Sequence, residues 1–270
     1  MRDTLARSIV VVAVGAGCTT LGPMPATTLV SPVPAGDPGV ELGLGAAPGT
    51  FLSSGATEDP KGASMPQASL LFEPDRLLHI PGLFVGVRAV GPEDAGPFGE
   101  PMLGYRRTLG DRFSLGIVGY GTRASGDNNG ASYDATRLGV EVSADVRVTP
   151  VNRWAELHVA GGLAATGLLV DGSYCLDSEN KYGVDCPEEG DPGSNMVDAS
   201  ASGLYPSGYL AAVLAFGQHT GSYFHGGRLM LQAAAGTMPT VIGGVQEDAA
   251  VYAALGLSLS LGFGARSEAP

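Results

Sequence analysis

The sequence predicts an all-β protein, an antiparallel up-and-down transmembrane β-barrel of about ten strands. The stretch from Val251 to Phe263 alternates Leu or Phe with Gly or Ser, and a repeat of two residues is the period of an extended strand. Glycine is abundant at 42 residues, and charged residues make up only 16% of the chain. Past the N-terminal segment, no apolar run is long enough to span a membrane as a helix, so a chain that spans one must do so as a barrel.

Residues 1–18 have the pattern of a secretory signal peptide. Arg2 and Arg7 flank a short n-region, residues 9–14 are apolar, and small residues precede Cys18. The segment resembles a bacterial lipoprotein signal with a lipobox that ends at Cys18, and this resemblance implies lipidation of Cys18 after cleavage. An ordinary signal peptide with a nearby cysteine is the alternative.

The remaining chain divides into three parts. Residues 19–38 are rich in proline and poor in bulky side chains, which predicts an extended tether. Residues 39–264 form the predicted barrel, and residues 265–270 form a C-terminal tail. No internal repeat is evident beyond the rhythm of the strands.

The predicted barrel contains ten alternating runs, and an even number suits a single-chain bacterial barrel. If the first pair of runs does not span the membrane, eight strands remain. A soluble β-sandwich also stays open, because an apolar face opposite a charged face fits both architectures. The runs are Val40–Ala47, Gln67–Glu73, Leu83–Val90, Phe98–Leu109, Arg112–Thr122, Tyr133–Val148, Trp154–Leu169, Tyr205–Gly217, Gly227–Thr237 and Ala249–Phe263.

Short connections between the runs alternate with generally longer ones. In this asymmetry and in its strand pattern, the chain over residues 39–264 resembles bacterial outer-membrane β-barrel proteins, which have tight periplasmic turns and longer outer loops. The resemblance implies an outer-membrane location, an exterior that contacts outer-membrane lipid, and both barrel termini in the periplasm. A lipid anchor at Cys18, on that same side, agrees with this orientation.

Charged residues recur at positions that face away from the apolar side of the strands. Both signs occur in similar numbers, which favours a lumen filled by paired charges over a selectivity lining of one sign. The candidate lumen network comprises Arg88, Arg106, Arg137, Glu141, Asp145, Arg147, Glu156 and Arg228. Arg112, Glu41 and Glu100 are expected to face inward as well.

No signature of catalysis is evident. Omptin-type proteases and lipid A deacylase barrels, which this chain resembles in size, need a histidine at the outer rim or outer half of the barrel. We expect His79, His219 and His225 in periplasmic connections and His158 near the periplasmic end of its strand. We therefore expect no enzyme, and neither a metal site nor a cofactor site is indicated. A net charge of −12 argues against a nucleic-acid partner.

Residues 170–204 are predicted to form the principal exposed loop. Cys175 and Cys186 lie within it, in a chain exported to an oxidising compartment, so we expect a disulfide between them; two free thiols are the alternative. Acidic residues dominate the loop, which would keep it solvated, and it is a candidate contact for an extracellular partner.

The function that these patterns favour is a small outer-membrane barrel of structural or surface-interaction type with a lumen filled by side chains. A narrow outer-membrane channel for ions or small solutes is the alternative, and a secreted soluble β-sandwich lipoprotein is a second one. The sequence does not indicate an oligomeric state.

Overall fold

The structure, a computed structural model, describes residues 18–20, 39–51, 63–74, 80–90, 98–128, 131–150, 154–175, 196–217, 224–242 and 245–264. They contain eleven strands: β1 Cys18–Thr20, β2 Val40–Phe51, β3 Ala63–Phe72, β4 Leu83–Val90, β5 Phe98–Leu109, β6 Phe113–Asn128, β7 Ala131–Arg147, β8 Ala155–Cys175, β9 Met196–Phe216, β10 Phe224–Ile242 and β11 Val245–Phe263. No helix among these residues is long and apolar enough to cross a membrane.

Strands β2 to β11 form a closed antiparallel barrel of ten strands. Each pairs with the next strand in the chain, and β11 pairs with β2 to complete the circuit. The first two predicted runs are both in the wall, because β2 pairs with β11 on one side and β3 on the other. The predicted barrel is therefore confirmed, and the eight-stranded and β-sandwich alternatives are wrong.

The strands run at a slant to the barrel axis. Val85 in β4 is the direct partner of Phe72 in β3, and Phe72 is the direct partner of Val40 at the start of β2. Phe84 precedes Val85 in β4. If direct partners are followed from Phe84 through β5 and around the barrel to β11, the row ends at Phe51, the last residue of β2. One circuit around the barrel therefore shifts the hydrogen-bond register by about the full length of β2. This shift, together with the number of strands, sets the tilt of the strands and the width of the bore.

The two faces of the wall alternate as the sequence predicts. In β7, Leu138 is 72% exposed and its neighbour Arg137 is 2% exposed, and in β11 the outward Leu257 contrasts with the buried Ser258. Leucine, valine and isoleucine cover the outside and charged residues lie inside, which is the surface of a transmembrane barrel and the reverse of a soluble one.

The barrel has two distinct ends. Gly39 and Gly264, which bound the barrel in sequence, lie at one end, called here the N/C end. The β10–β11 hairpin lies at the other, called the rim end. The predicted tight turn after Leu109 lies at the N/C end, where Gly110 has a φ of 64°, a left-handed conformation that favours glycine.

The predicted long connections at the rim end are wrong for two of the five hairpins. Only residues 129–130 separate β6 from β7, and only residues 243–244 separate β10 from β11. Strands β6 to β11 continue past β2 to β5 there and form a raised wall, called here the rim. It comprises residues 121–128, 131–138, 168–175, 196–206, 237–242 and 245–251.

The predicted loop over residues 170–204 is mostly strand. β8 extends to Cys175, which pairs with Met196 at the start of β9, and only residues 176–195 lie between them. Cys186 lies outside the described residues, so the Cys175–Cys186 disulfide stays a prediction. Most of the predicted tether and signal segment also lies outside them.

Cys18 lies at the rim end. It pairs with Ile242 through β1, whereas Gly39 and Gly264 lie at the opposite end of the barrel. The expectation that Cys18 shares an end with the barrel termini is therefore wrong: the Thr19 and Thr20 backbone continues a strand ladder on β10, away from the start of β2.

Candidate functional site in the barrel lumen

The predicted network of charges lies inside the barrel. Seven of its members are buried, and Arg147 is half-buried near the N/C end. Successive side chains of a strand point to opposite faces. These charged residues alternate with the exposed leucines and valines of the same strand, so they point into the barrel. Arg112 is the exception among the expected inward residues: it is exposed in the turn between β5 and β6, where the alternation of the strands has ended.

The first group of charges, the upper cluster, lies toward the rim end and centres on Glu100. Its carboxylate is fully buried and accepts hydrogen bonds from Arg88, with 2.8 Å between Nε and Oε2. Arg137 approaches the other carboxylate oxygen at 3.4 Å. Both guanidinium carbons lie 5.1 Å from the ring centroid of Tyr120, one in each cation–π contact. The Tyr120 hydroxyl lies 2.8 Å from Thr166 Oγ1 on the far side of β7.

A second group, the lower cluster, lies near the N/C end. Glu41 is buried and accepts hydrogen bonds from Arg106, at 2.9 Å, and from Arg228. Arg106 also donates through Nε to Glu73 at 2.7 Å, and its guanidinium lies over the ring of Phe84. Four strands or strand ends thus meet at one network that crosses the bore.

A third group, the mouth cluster, is partly open to solvent at the N/C end. His158 Nδ1 lies 3.0 Å from Asp145, and His158 Nε2 lies 3.5 Å from Glu156. Arg147 approaches the same Glu156 oxygen at 3.6 Å. The Arg147 and Glu156 side chains retain 14% and 11% of their exposure. This pairing is looser than that of the other two clusters, so water competes with it.

Large inward side chains lie over glycines and close the remaining space. A Cβ on Gly104 would come within 2.2 Å of the Phe84 ring, and one on Gly139 within 2.4 Å of the Tyr120 ring. In each case the large residue and the glycine are direct cross-strand partners, so the ring folds flat onto the wall beside it. The same arrangement recurs in the pairs Tyr209 with Gly162, Gln232 with Gly256, and Tyr252 with Gly236.

An apolar group of side chains also fills the lumen. Two of its members link it to the charges, because Arg106 lies over the Phe84 ring and Arg88 lies over the Tyr120 ring. Its members are all buried: Leu71, Phe84, Met102, Val118 and Tyr120. Paired charges, apolar side chains and rings laid over glycines therefore follow one another along the bore.

The described histidines have structural partners. His158 is bound to the mouth cluster, and His225 Nε2 lies 2.9 Å from the carbonyl oxygen of Gly264. Both lie near the N/C end, but the prediction that His225 lies in a connection is wrong, because it is the second residue of β10. His79 and His219 lie outside the described residues. Among the described residues, no group of three or more histidine, cysteine or carboxylate side chains is arranged to hold a metal ion.

Two members of these clusters escaped the sequence prediction. Glu73 follows β3 and continues the inward parity of Ser69 and Leu71, so parity extended past the strand end would have found it. His158 shares the inward parity of Glu156. It was placed near the correct end of its strand, but its partner Asp145 could not be identified without the register between β7 and β8.

Comparisons with known proteins give similarity of fold. No family model and no curated protein matches the chain. Among solved structures, it is similar to Neisserial surface protein A, with 9% identity, a TM-score of 0.34, and coverage of 83% of this chain and 97% of that one. It is also similar to the outer membrane enzyme PagL, with 11% identity, a TM-score of 0.29, and coverage of 82% of this chain and 99% of that one. A third similar structure is Ail, the attachment invasion locus protein of Yersinia pestis, in complex with the heparin analogue sucrose octasulfate. It has 11% identity, a TM-score of 0.26, and coverage of 83% of this chain and 96% of that one. At these values, none of the three carries an argument about function.

Proposed function

We propose that this chain is a bacterial outer-membrane β-barrel whose lumen is sealed by its own side chains and whose role is structural or surface-interacting. Its belt of exposed leucine and valine contacts outer-membrane lipid, and its rim faces the cell exterior and offers the surface for an extracellular partner. The N/C end then faces the periplasm. No catalytic step is assigned to it.

The observation that carries this proposal is the pairing of lumen charges within the barrel. Glu100 bridges two arginines and Glu41 bridges two others, so each group holds both signs in a small volume. An ion that crosses the bore would have to displace side chains that are buried and bound to one another. A conducting, selective pore would instead present one sign of charge to a water-filled path.

The rim supports the placement of the interacting surface. Its outward face combines leucines, such as Leu169 and Leu204, with carboxylates. Asp134 and Asp171 are exposed direct partners on adjacent strands, and Asp198 lies one strand further. Below the rim, the same faces carry leucine and valine. Polar outward residues suit a wall that has left the hydrocarbon and entered water, where a partner can reach it.

A narrow channel is the second candidate, and the mouth cluster favours it. Arg147 and Glu156 keep some exposure, so water enters the lumen from the N/C end. For conduction, that water would have to continue past the lower and upper clusters.

Planar-bilayer recording of the refolded mature chain tests the proposal. We expect no steady openings from protein whose folded state is verified by its heat-modifiable gel mobility. The paired variant Arg88→Ala with Arg137→Ala serves as the positive comparison, because it vacates the upper cluster and leaves the Glu100 carboxylate in the bore. Steady, ion-selective openings of the unmodified protein would overturn the sealed lumen and establish the channel.

A further inference from the structure

The ladder between β9 and β10 ends below the top of the rim. The two strands pair from Phe216 with Gly227 up to Ser207 with Gly236, and their register stops there. β9 continues to Met196 and pairs with β8 along the way. Among the described strands, none pairs with residues 201–204 of β9 on the side that faces β10, and β1 pairs with β10 alone. This side of β9 is called here the seam edge.

The backbone geometry shows which residues of β9 point at the seam edge. A Cβ added to Gly236 of β10 would come within 2.9 Å of the Pro206 carbonyl oxygen. One added to Gly161 of β8 would come within 3.3 Å of the Tyr209 carbonyl oxygen. The register of β9 with β8 runs without a shift, and backbone groups of successive strand residues point to alternate sides. Even-numbered residues of β9 therefore point their N–H and C=O groups at β10, and odd-numbered ones point them at β8.

Pro206 begins the seam edge. Its missing N–H lies on the seam side, so it costs no hydrogen bond to β8, and proline in a sheet is confined to such edges and to bulges. Beyond it, the backbone groups of Leu204 and Ser202 point at the seam, and both residues are exposed. Gly203 between them is exposed as well, although its parity is inward. A strand edge of this kind offers its N–H and C=O groups to an added extended segment.

The two faces beside the seam edge differ in chemistry. On the outward face, Asp198 is exposed and accepts a hydrogen bond from Ser173, and Asp171 lies one strand further from the edge. On the inward face, Ala201 and, across the seam, Met238 are apolar and buried. Side chains of an added strand alternate between the same two faces. Every second side chain would therefore lie beside carboxylates, and the others would lie beside apolar groups.

We propose that residues 201–204 of β9, together with Asp198, form a strand-addition site for an extended segment of an extracellular protein in which basic and apolar residues alternate. The basic side chains lie outward beside Asp198, and the apolar ones lie inward beside Ala201. The net charge of −12 adds a long-range attraction for a cationic segment. This inference rests on the proposed function, because such a partner reaches only a rim that faces the cell exterior.

Peptide binding to the refolded mature chain in lipid nanodiscs tests the proposal. The probe is a fluorescently labelled peptide of about ten residues that alternates valine with lysine, long enough to form a strand. Its affinity is measured by fluorescence anisotropy, with protein-free nanodiscs as the blank. We expect saturable binding to the unmodified protein.

A matched pair of variants at position 202 identifies the edge. Ser202→Pro removes an N–H that points at the seam and leaves the ladder with β8 intact, so we expect it to weaken peptide binding at least about tenfold. Ser202→Ala keeps the N–H and should bind within about twofold of the unmodified protein. Heat-modifiable gel mobility verifies that both variants are folded. Absence of binding to the unmodified protein, or equal affinities of the two variants, would overturn the proposal.

A peptide that alternates valine with glutamate tests the charge of the partner. We expect it to bind more weakly than the lysine peptide, because its carboxylates would lie beside Asp198. Equal affinities of the two peptides would overturn the basic character of the partner.

A second copy of this chain is the competing occupant of the seam edge. We expect sedimentation in detergent micelles to show the same oligomeric state for the unmodified protein and for Ser202→Pro. A dimer that Ser202→Pro dissociates would overturn the proposed class of partner. Nanodiscs leave both ends of the barrel accessible, so peptide binding to purified protein does not depend on orientation. If the peptide binds purified protein but not intact cells that display it, the exterior placement of the rim fails while the strand-addition site stands.

Discussion

The lower barrel extends from the N/C end to the pair Ser207 and Gly236. It shares strands β6 to β11 with the rim, but the two regions differ in the polarity of their faces. In the lower barrel, β9 points Leu210 outward and β7 points Asp145 inward. In the rim, the outward residues include Asp134 and Ser202 beside the exposed Leu169 and Leu204. The inward residues include Arg137 but are mostly apolar and buried: Ala135, Val170, Ala201, Met238 and Ala250. Along one continuous strand, polar residues thus join the outward face and apolar residues join the inward face in the rim.

The backbone follows the same division. In the lower barrel every strand has a partner on each side, as lipid requires, because an unpaired N–H or C=O in hydrocarbon costs several kcal/mol. In the rim the wall parts between β9 and β10 and takes up β1. Water can satisfy a parted seam, so prolines are tolerated there.

The largest expected effect comes from unpairing the lumen of the lower barrel. Glu100→Ala leaves Arg88 and Arg137 buried without their shared carboxylate, and we expect a loss of about 3–5 kcal/mol in the free energy of unfolding. Urea unfolding in lipid vesicles, followed by the fluorescence of Trp154, the only tryptophan, measures it. Arg107→Ala is the control, because Arg107 lies on the same strand and is exposed. Equal losses in the two variants would show that the upper cluster does not contribute to stability.

The next effect contrasts the outward faces of the two regions. Leu210→Arg puts a charge on the lipid-facing side of β9, and we expect a cost of about 2–4 kcal/mol in the free energy of unfolding. Ser202→Arg puts the same charge on the same face of the same strand, but in the rim, where we expect about 0–1 kcal/mol. The same unfolding assay compares them. Similar costs at the two positions would mean that the rim lies in lipid, and the division drawn here would fail.

The smallest effect lies at the mouth of the lumen. Glu156 pairs with Arg147 at 3.6 Å and both side chains are partly exposed, so Glu156→Gln should cost less than about 1 kcal/mol. Its comparison with Glu100→Ala separates a loosely paired carboxylate at the mouth from a tightly paired, fully buried one in the same assay. A loss as large as that of Glu100→Ala would show that the mouth is sealed as tightly as the upper cluster.

The lower barrel was predictable from the sequence because apolar outward residues alternate with small, polar or charged inward residues along its strands. Two predicted runs, Leu83–Val90 and Phe98–Leu109, match the observed strands. Much of the rim beyond residues 133–138 and 168–169 was missed because its outward serine and aspartate resemble loop residues, and apolar side chains such as Val170 and Ala201 face inward there. For this reason residues 170–175 and 196–204, which are strand, were predicted as loop.

The lumen was predictable by residue but not by partner. Inward parity identified Arg106 and Glu41 separately, although they lie 65 positions apart in the chain. Their contact depends on the stagger of the wall, which no local pattern encodes. The pairs of large side chains with glycine need the register as well, so the abundance of glycine indicated a crowded lumen without showing which glycine faces which ring.

The central claim, that side chains seal the lumen of the lower barrel, is tested most directly by the reactivity of a thiol placed inside it. Ser258 is buried, faces the lumen, and lies one inward position toward the rim from Ser260, the partner of Arg228. Ser258→Cys and the exposed rim variant Ser202→Cys are compared in a background without native cysteines, with a charged, water-soluble thiol reagent on folded and on denatured protein. In the folded protein, the account predicts a rate at Ser258→Cys at least about tenfold below that at Ser202→Cys, because a packed interior excludes the reagent, and equal rates after denaturation. Equal rates in the folded protein would contradict it and show a water-filled path that reaches the middle of the bore from one of its ends.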